Sequence, residues 1–428
     1  MGKLGGVPMR TLKTKSIVAG LALALGFSGL SATQANAAAS DKGTLVVWMM
    51  PDAKGWQGAI DGANAAFKKK YPNVKVDIQY QTWADHLTKF EASVVARKTP
   101  DVIEFGNTEV TKYAAAGALK ALDKKSFENS ATWLKGLADA GSYNGKVYAV
   151  PYYAGSRAVI YRTDIYTDLN LKVPTTYDQF LANGKTIMAS KYGTADSTFS
   201  ALYFPGKYWY AAMSYVYDNG GSIAKQSKGK WVGNLSSTAS IGGLNRYKEI
   251  SDALSKADKN GTEAAQWDAM KAGKGAMSYG NGWELGLSAP AGDTTKVSAF
   301  PMPSITGGKY APAFLGGSNL AVPARSAHTA WGTDWIAAYT ASAQMKLMVA
   351  AGVLPNTTSL LNLVTGASAP FAESAKSTWF VPASANWANV ELAQVLPNLF
   401  ASIASGSKTV KDAAADADKL IGIILNAK

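Results

Sequence analysis

The sequence has no cysteine among its 428 residues and only two histidines. Without thiols there can be no disulfide, no thiolate nucleophile and no cysteine-ligated metal. His86 and His328 lie far apart, and neither has a second histidine at helical spacing. This argues against a zinc site or a serine triad, so we predict no metal site and surface or capping roles for both histidines.

Several catalytic motifs are also missing. No P-loop, no GxGxxG after a predicted strand and no GxSxG nucleophile elbow occurs after the N-terminal segment. No pair of acids has a telling spacing, although any two acids can meet in space, so a secreted glycan-cleaving enzyme stays open as an alternative. We therefore predict no catalytic residue and no cofactor.

Arginine is scarce for a chain with a formal net charge of +13, because only six of the 43 basic residues are arginine. The lysines are scattered singly or in short clusters. Nucleic-acid recognition favours arginine clusters with forked contacts. We interpret the basic charge as a solvated surface and predict no nucleic-acid partner.

The N-terminus has the pattern of an export signal. Basic residues occur within the first 15 positions, the run 16–30 is apolar but too short for a bilayer, and Ala35-Asn36-Ala37 fits a cleavage site. We predict a signal peptide at 1–37 and an exported protein. Residues 30–33 resemble a lipoprotein box whose cysteine is replaced by Thr33, so no lipid can be attached there, and we expect a periplasmic or cell-envelope location.

Alternating strand and helix patterns occupy the start of the mature chain. The segments 44–48, 74–78 and 101–105 are typical of strands, and 59–71 and 86–97 have helical spacing. This β-α-β-α-β order predicts parallel pairing in an α/β fold.

Aromatic residues are abundant, with 12 tryptophans, 20 tyrosines and 13 phenylalanines. Several stand beside glycine or proline where predicted strands end, which is where open α/β sheets place ligands. A sugar ring has an apolar face that packs on an aromatic ring and a rim of hydroxyls that needs polar partners. The pattern favours a wet binding cleft; these aromatics are Trp48, Trp56, Trp83, Tyr152, Tyr153, Trp283 and Trp379.

The chain resembles the extracellular solute-binding proteins of ABC sugar importers, the family that includes maltodextrin-binding protein. The likeness covers nearly the whole mature chain, and the most specific segment is NGKVYAVPYYAGSRAVIYRTDIY at 144–166. It is also carried by LVVWMMPD (45–52), YPNVKVDIQYQTW (71–83), TPDVIEFGNTEVTKYAAAGALKALD (99–123), GKGAMSYGNGWELG (273–286) and FLGGSNLAVP (314–323).

The resemblance implies a type II-like periplasmic-binding-protein fold with two α/β lobes and three hinge crossings. We expect the crossings near 152–155, 297–301 and 340–345. Lobe 1 would then comprise 38–152 and 298–342, and lobe 2 would comprise 153–297 and 343–428.

The resemblance also implies a set of ligand contacts. Adjacent residues of an extended chain point to opposite sides, so we expect one ring of Tyr152 and Tyr153 to pack inside a lobe and the other to face the ligand. Gly316, Gly317 and Ser318 would let backbone amides approach the ligand closely. The candidate binding residues are Trp48, Asp52, Trp83, Asn107, Glu109, Tyr153, Arg157, Tyr210, Trp283, Gly317, Ser318 and Trp379.

The implied function is non-catalytic. A monomeric receptor would capture a mono- or oligosaccharide between its lobes and deliver it to the permease subunits of an ABC importer. A second hypothesis keeps this fold but changes the ligand to a metal chelate, a polyamine or an organic anion.

Overall fold

The computed structural model describes residues 41–83, 85–263 and 266–427, and the predicted signal peptide lies outside them. None of the helices in these ranges combines the length and apolar character that a bilayer crossing requires. The described strands are β1 Gly43–Met49, β2 Val74–Tyr80, β3 Val102–Gly106, β4 Ser142–Tyr143, β5 Lys146–Val147, β6 Ala149–Ser156, β7 Ala158–Arg162, β8 Ser200–Tyr203, β9 Ala224–Ser227, β10 Lys230–Gly233, β11 Gly275–Gly280, β12 Val297–Phe300, β13 Ala313–Ala321 and β14 Thr378–Trp379.

Helices alternate with these strands and cover both sheets. The described helices are α1 Gln57–Lys70, α2 His86–Val95, α3 Val110–Ala115, α4 Lys135–Ala140, α5 Thr163–Asp168, α6 Tyr177–Ala189, α7 Lys191–Ala195, α8 Trp209–Asp218, α9 Thr238–Leu254, α10 Gln266–Lys271, α11 Glu284–Leu287, α12 Thr329–Tyr339, α13 Ser342–Ala350, α14 Ala369–Ser374, α15 Trp387–Leu392, α16 Val395–Ser405 and α17 Val410–Leu425.

The first five elements confirm the predicted β-α-β-α-β unit. Strand β1 pairs in parallel with both β2 and β3. Helix α1 buries Ile60, Ala63 and Phe67, whose spacing of three and four places them on one helical face. Thr176 caps the start of α6, because its hydroxyl accepts a hydrogen bond from the Gln179 backbone amide at 3.2 Å.

Two separate sheets organise the molecule. The larger sheet has the order β14-β13-β3-β1-β2, and β6 also pairs with β13. The smaller sheet has the order β12-β7-β11-β8. Each sheet has its own buried cluster, one around Val47, Trp335 and Tyr339 and the other around Phe204 and Tyr247.

The chain passes between the sheets at two points that matter for the site. Strand β6 belongs to the larger sheet and β7 to the smaller one, with Arg157 alone between them. The chain returns between β12 in the smaller sheet and β13 in the larger. The ends of strands from both sheets therefore face a common space.

Candidate functional site

A cavity of about 580 Å³ lies between the two sheets. Its walls come from the ends of β1, β3 and β6 on one side and from the end of β11 on the other. Nine of the candidate residues line it: Asp52, Trp83, Asn107, Tyr153, Arg157, Tyr210, Trp283, Gly317 and Ser318.

The paired tyrosines divide between core and cavity. The Tyr152 ring is fully buried, and its hydroxyl bonds the Trp56 indole nitrogen at 2.6 Å and the Tyr339 hydroxyl at 2.7 Å. Tyr153 lines the cavity and packs against Trp56 with ring centroids 5.5 Å apart. The two rings touch edge to face with centroids 4.9 Å apart, so they do not point to opposite sides as expected. The pairing of β6 with β13 skips Tyr152 at a register shift, which interrupts the alternation of the strand. Tyr152 still anchors the larger sheet, and Tyr153 lines the cavity.

Arg157 lies at the crossing between the sheets with most of its side chain buried. Its Nε donates to the Tyr208 hydroxyl at 3.0 Å, and its Nη2 donates to Glu263 at 3.1 Å. The guanidinium lies 4.9 Å from the centroid of the Tyr210 ring. These contacts fix a cationic group in the cavity wall beside the acidic Glu263, which also lines the cavity.

Trp83 and Asp52 form a connected pair on the wall formed by the larger sheet. The indole Nε1 of Trp83 donates to Asp52 Oδ2 at 3.0 Å, and 43% of the Trp83 surface is exposed. Asn107 lies deeper, where its side-chain amide donates to the Leu315 carbonyl at 2.7 Å. The wall therefore offers an aromatic face beside polar groups.

Trp283 stands at the opposite rim with 61% of its surface exposed. Its ring meets that of Trp267 edge to face, with centroids 5.4 Å apart. A large exposed indole at a cavity mouth costs free energy in water unless something covers it. This makes Trp283 the most accessible aromatic platform of the cavity wall.

The glycines of β13 serve the sheet as well as the cavity. Gly317 has a φ of +124°, and a Cβ there would lie 2.1 Å from the Tyr153 carbonyl oxygen. Its lack of a side chain is therefore required by the close approach of β6, rather than by an approach to a ligand alone. The neighbouring Ser318 hydroxyl is buried and has no hydrogen-bond partner among the described residues.

Three candidates lie away from the cavity wall. Trp48 is half-buried and donates to Gln79 Oε1 at 3.0 Å, while Glu109 bonds His86 and the Gly106 amide. Trp379 is only 3% exposed and stacks on Tyr217 inside the core of the smaller sheet. Their strand-end positions suggested ligand contact, but the side chains turn toward neighbouring elements.

Other lining residues escaped the sequence analysis. Asn281 and Gly282 lie in the same GNGW segment as Trp283, so that motif could have identified them. Glu263 had no local signal, because its position depends on the pairing with Arg157 across the fold. Trp56, one of the strand-end aromatics of the sequence analysis, also lines the cavity, and the remaining unexpected wall residues include Phe314, Val353, Leu354 and Phe371.

A smaller cavity of about 280 Å³ adjoins the first and shares Tyr210 and Glu263 with it. Trp209 and Trp387 supply aromatic surface, and Glu391 accepts a hydrogen bond from the Trp387 indole at 2.8 Å. Burial raises the pKa of Glu391 to about 7. Both cavities thus combine aromatic and acidic side chains, and Tyr210 and Glu263 contribute to both walls.

Comparison with protein families shows what the chain is similar to. Residues 62–376 match the family model of the bacterial extracellular solute-binding protein. The diacetylchitobiose binding protein DasA of Streptomyces coelicolor is 32% identical over 362 residues, which cover 81% of this chain and 82% of DasA. A multiple sugar-binding protein of Streptococcus mutans is 30% identical over 122 residues, 28% of each chain.

Solved structures show the same fold. The GacH receptor of Streptomyces glaucescens, described unliganded and with acarbose, superposes with a TM-score of 0.73 at 21% identity, covering 91% of this chain and 100% of that one. The sugar-binding protein MalE of Xanthomonas citri gives a TM-score of 0.75 at 20% identity, covering 89% and 97%. The predicted two-lobe periplasmic-binding fold is confirmed.

Proposed function

This chain belongs to the bacterial extracellular solute-binding protein family, and from that premise we propose that it is a carbohydrate receptor. It captures a sugar or oligosaccharide between two lobes and delivers it to an ABC importer without altering it chemically. The single observation that carries this proposal is the composition of the cavity, in which aromatic faces and polar groups from both sheets meet.

The aromatic and polar groups suit a sugar ring. Trp83, Tyr153 and Trp283 offer flat faces for its C–H surface, and Asp52, Asn107 and the Arg157–Glu263 pair supply acceptors and donors for its hydroxyls. This combination favours a neutral polyhydroxylated ligand over a polyamine, which would need several unpaired carboxylates. The lining candidates are the contacts that we propose.

The receptor works by closure. A sugar that touches both lobes has a higher affinity for the closed form than for the open form, so binding shifts the balance toward closure. We propose two lobes joined by three crossings near those of the sequence analysis, 152–155, 297–301 and 340–345. Because β6 runs to Ser156 in the larger sheet and β7 starts at Ala158 in the smaller one, we propose Arg157 as the end of the first crossing. The closed form would be the one that the permease subunits recognise, with the receptor acting as an exported monomer.

A thermal-shift screen tests the proposal directly. N,N′-Diacetylchitobiose, maltose, maltotetraose and common monosaccharides are added to the mature chain. A sugar at about 100 times its Kd should stabilise the fold by about 2.7 kcal/mol, which raises the melting temperature. If no mono- or oligosaccharide raises it, the carbohydrate assignment fails.

Two further measurements test the alternatives. Ferric chelation by Tyr152 and Tyr153 is disfavoured because burial raises the pKa of both phenols, which opposes the tyrosinate form; visible absorbance on adding iron would support it. Chromatography of the sugar after long incubation tests for hydrolysis, and we expect the ligand to be recovered intact.

A further inference from the structure

A buried histidine lies directly behind the wall of the main cavity. His86 begins α2 and is only 1% exposed, so the surface or capping role predicted for it is wrong. Its Nδ1 lies 3.2 Å from the Trp83 carbonyl oxygen, and its Nε2 lies 3.0 Å from Glu109 Oε2. The side chain thus bridges two elements that flank the cavity.

Both partners of the ring are hydrogen-bond acceptors. A neutral imidazole carries one N–H, so it could donate to the carbonyl or to the carboxylate but not to both. In the neutral form, one ring nitrogen would turn its lone pair toward an acceptor oxygen 3.0–3.2 Å away, and the buried ring has no water to turn to instead, which is costly. The imidazolium form, with two N–H groups, satisfies both contacts.

The charged groups around the ring support that form. Burial lowers the pKa of His86, but the hydrogen bond and the charge of Glu109 raise it, and the net shift is upward. Glu109 is held in place because it also accepts from the Gly106 amide at 2.8 Å. Of the other acids nearby, Glu104 interacts electrostatically with His86, and Asp85 forms a surface ion pair with Lys89.

His86 connects this buried pair to the cavity wall. Its ring meets the Trp83 indole edge to face, with centroids 5.3 Å apart, and the far side of that indole donates to Asp52 at 3.0 Å. We propose that His86 is a positioning residue for the ligand site: held as a cation between Glu109 and the Trp83 carbonyl, it fixes Trp83 and, through it, Asp52. The consequence for sugar affinity rests on the proposed function, whereas the state of His86 does not.

The sign of the pH dependence follows from the upward shift. A histidine whose pKa is raised in the folded protein stabilises the folded site fully below its ordinary pKa of about 6.5. That stabilisation is lost as the pH rises through the raised pKa. Ligand affinity should therefore be higher at about pH 6 than at about pH 9.

The first experiment needs no ligand. The mature chain is labelled with 15N-histidine, and the imidazole signals are followed against pH; only two histidines contribute, and His86→Gln identifies the signal of His86. We expect both nitrogens of His86 to carry protons at neutral pH, with a titration midpoint above 6.5. A neutral His86 with one protonated nitrogen at pH 6 would overturn the proposal whatever the protein binds.

The second experiment measures calorimetric affinity for the sugar that gives the largest shift in the thermal screen. At about pH 6, His86→Gln should weaken binding by about five- to tenfold, because one charge-assisted contact is lost. The sugar affinity of the His86→Gln variant should vary less with pH than that of the unmodified chain. Glu109→Gln keeps a hydrogen-bond acceptor but removes the negative charge that raises the pKa of His86. The pH at which sugar affinity falls should therefore be lower in this variant.

A matched control and a double variant exclude a general loss of structure. His328 also lies near an acid and stacks on a tryptophan, but outside the cavity, so His328→Gln should leave affinity unchanged. In a Trp83→Ala background, His86→Gln should have no further effect if it acts through Trp83. Additive losses, or an unchanged pH profile in Glu109→Gln, would overturn the positioning role.

Discussion

Trp283 contributes a broad exposed surface to the cavity rim, so its removal should lower ligand affinity rather than the stability of the fold. Trp283→Ala should weaken affinity for the bound sugar by about 10- to 100-fold, because a stacking platform that is covered by the ligand behaves as a hot spot. The free energy of unfolding should change by about 0.5 kcal/mol or less, since the side chain is exposed. Calorimetry and urea unfolding measure the two effects.

Trp48→Ala is the matched comparison for Trp283→Ala. Trp48 was also a candidate contact, but its indole bonds Gln79 outside the cavity. Affinity should therefore remain near that of the unmodified chain. An equal loss in both variants would show that the effect of Trp283 is not one of ligand contact.

Glu104 is a buried carboxyl beneath the cavity floor. Its Oε2 accepts from the Met50 amide at 2.8 Å, and its Oε1 has no hydrogen-bond partner among the described residues. Burial raises its pKa from 4.5 to about 7. The folded state thus holds this proton more tightly than the unfolded chain does, so rising pH destabilises the fold between those values.

Glu104→Gln should remove that pH dependence. Between pH 5 and pH 8 the unmodified chain should lose stability relative to the variant, by an amount on the order of 3 kcal/mol. Urea unfolding at both pH values measures the difference. Glu91→Gln is the control, because a hydrogen bond from Lys112 lowers the pKa of Glu91 and places its pH dependence below about pH 4.5. Between pH 5 and pH 8 its slope should match that of the unmodified chain, and parallel slopes in all three proteins would contradict the assignment.

Strand β13 is the element on which the site depends most. It pairs with β3 on one side and with β6 on the other, so it joins the strand that carries Tyr153 to the strand that precedes Asn107. The register shifts between Ser318 and Asn319. This irregularity lies beside Gly317, where β6 comes too close for any side chain.

Two neighbouring glycines of β13 provide a matched pair of substitutions. Gly317→Ala should destabilise the fold by about 2 kcal/mol or more, since its Cβ would clash with the Tyr153 carbonyl and its φ is positive. At Gly316 the nearest atom to an added Cβ is 3.6 Å away, which is ordinary contact, so Gly316→Ala should cost much less. Similar melting temperatures for the two variants would refute this account of β13.

The molecule as a whole is built on two main sheets, each with its own buried cluster, and a third cluster joins them beside the shared cavity. Because the cavity wall is shared between them, a ligand that bridges the sheets should bring the lobes together. Small-angle scattering with and without the sugar selected by thermal shift should show a decrease in the radius of gyration. The Trp283→Ala variant should show the same decrease at saturating sugar. An unchanged radius of gyration in the unmodified chain would contradict closure of the lobes around the sugar.

The sequence by itself determined the order of elements and the class of the site. Hydrophobic periodicity and turn residues act over a few positions, so the first five elements and the Thr176 cap could be predicted from local patterns. Strand ends carry ligands in this class of fold, so Trp283 could be named as a cavity candidate from its position, whereas Asp52 and Asn107 were named from the family resemblance.

Only the tertiary structure decided where each of those side chains points. Trp379 and Glu109 also stand near strand ends, yet neither lines the cavity. Trp379 packs in a core against Tyr217 from a distant part of the chain, and Glu109 bonds the nearby Gly106 amide and His86, 23 positions away. The same holds for Glu263, which reaches the site through Arg157, 106 positions away. Side-chain direction at a strand end depends on contacts made after the sheets assemble, and local sequence does not contain them.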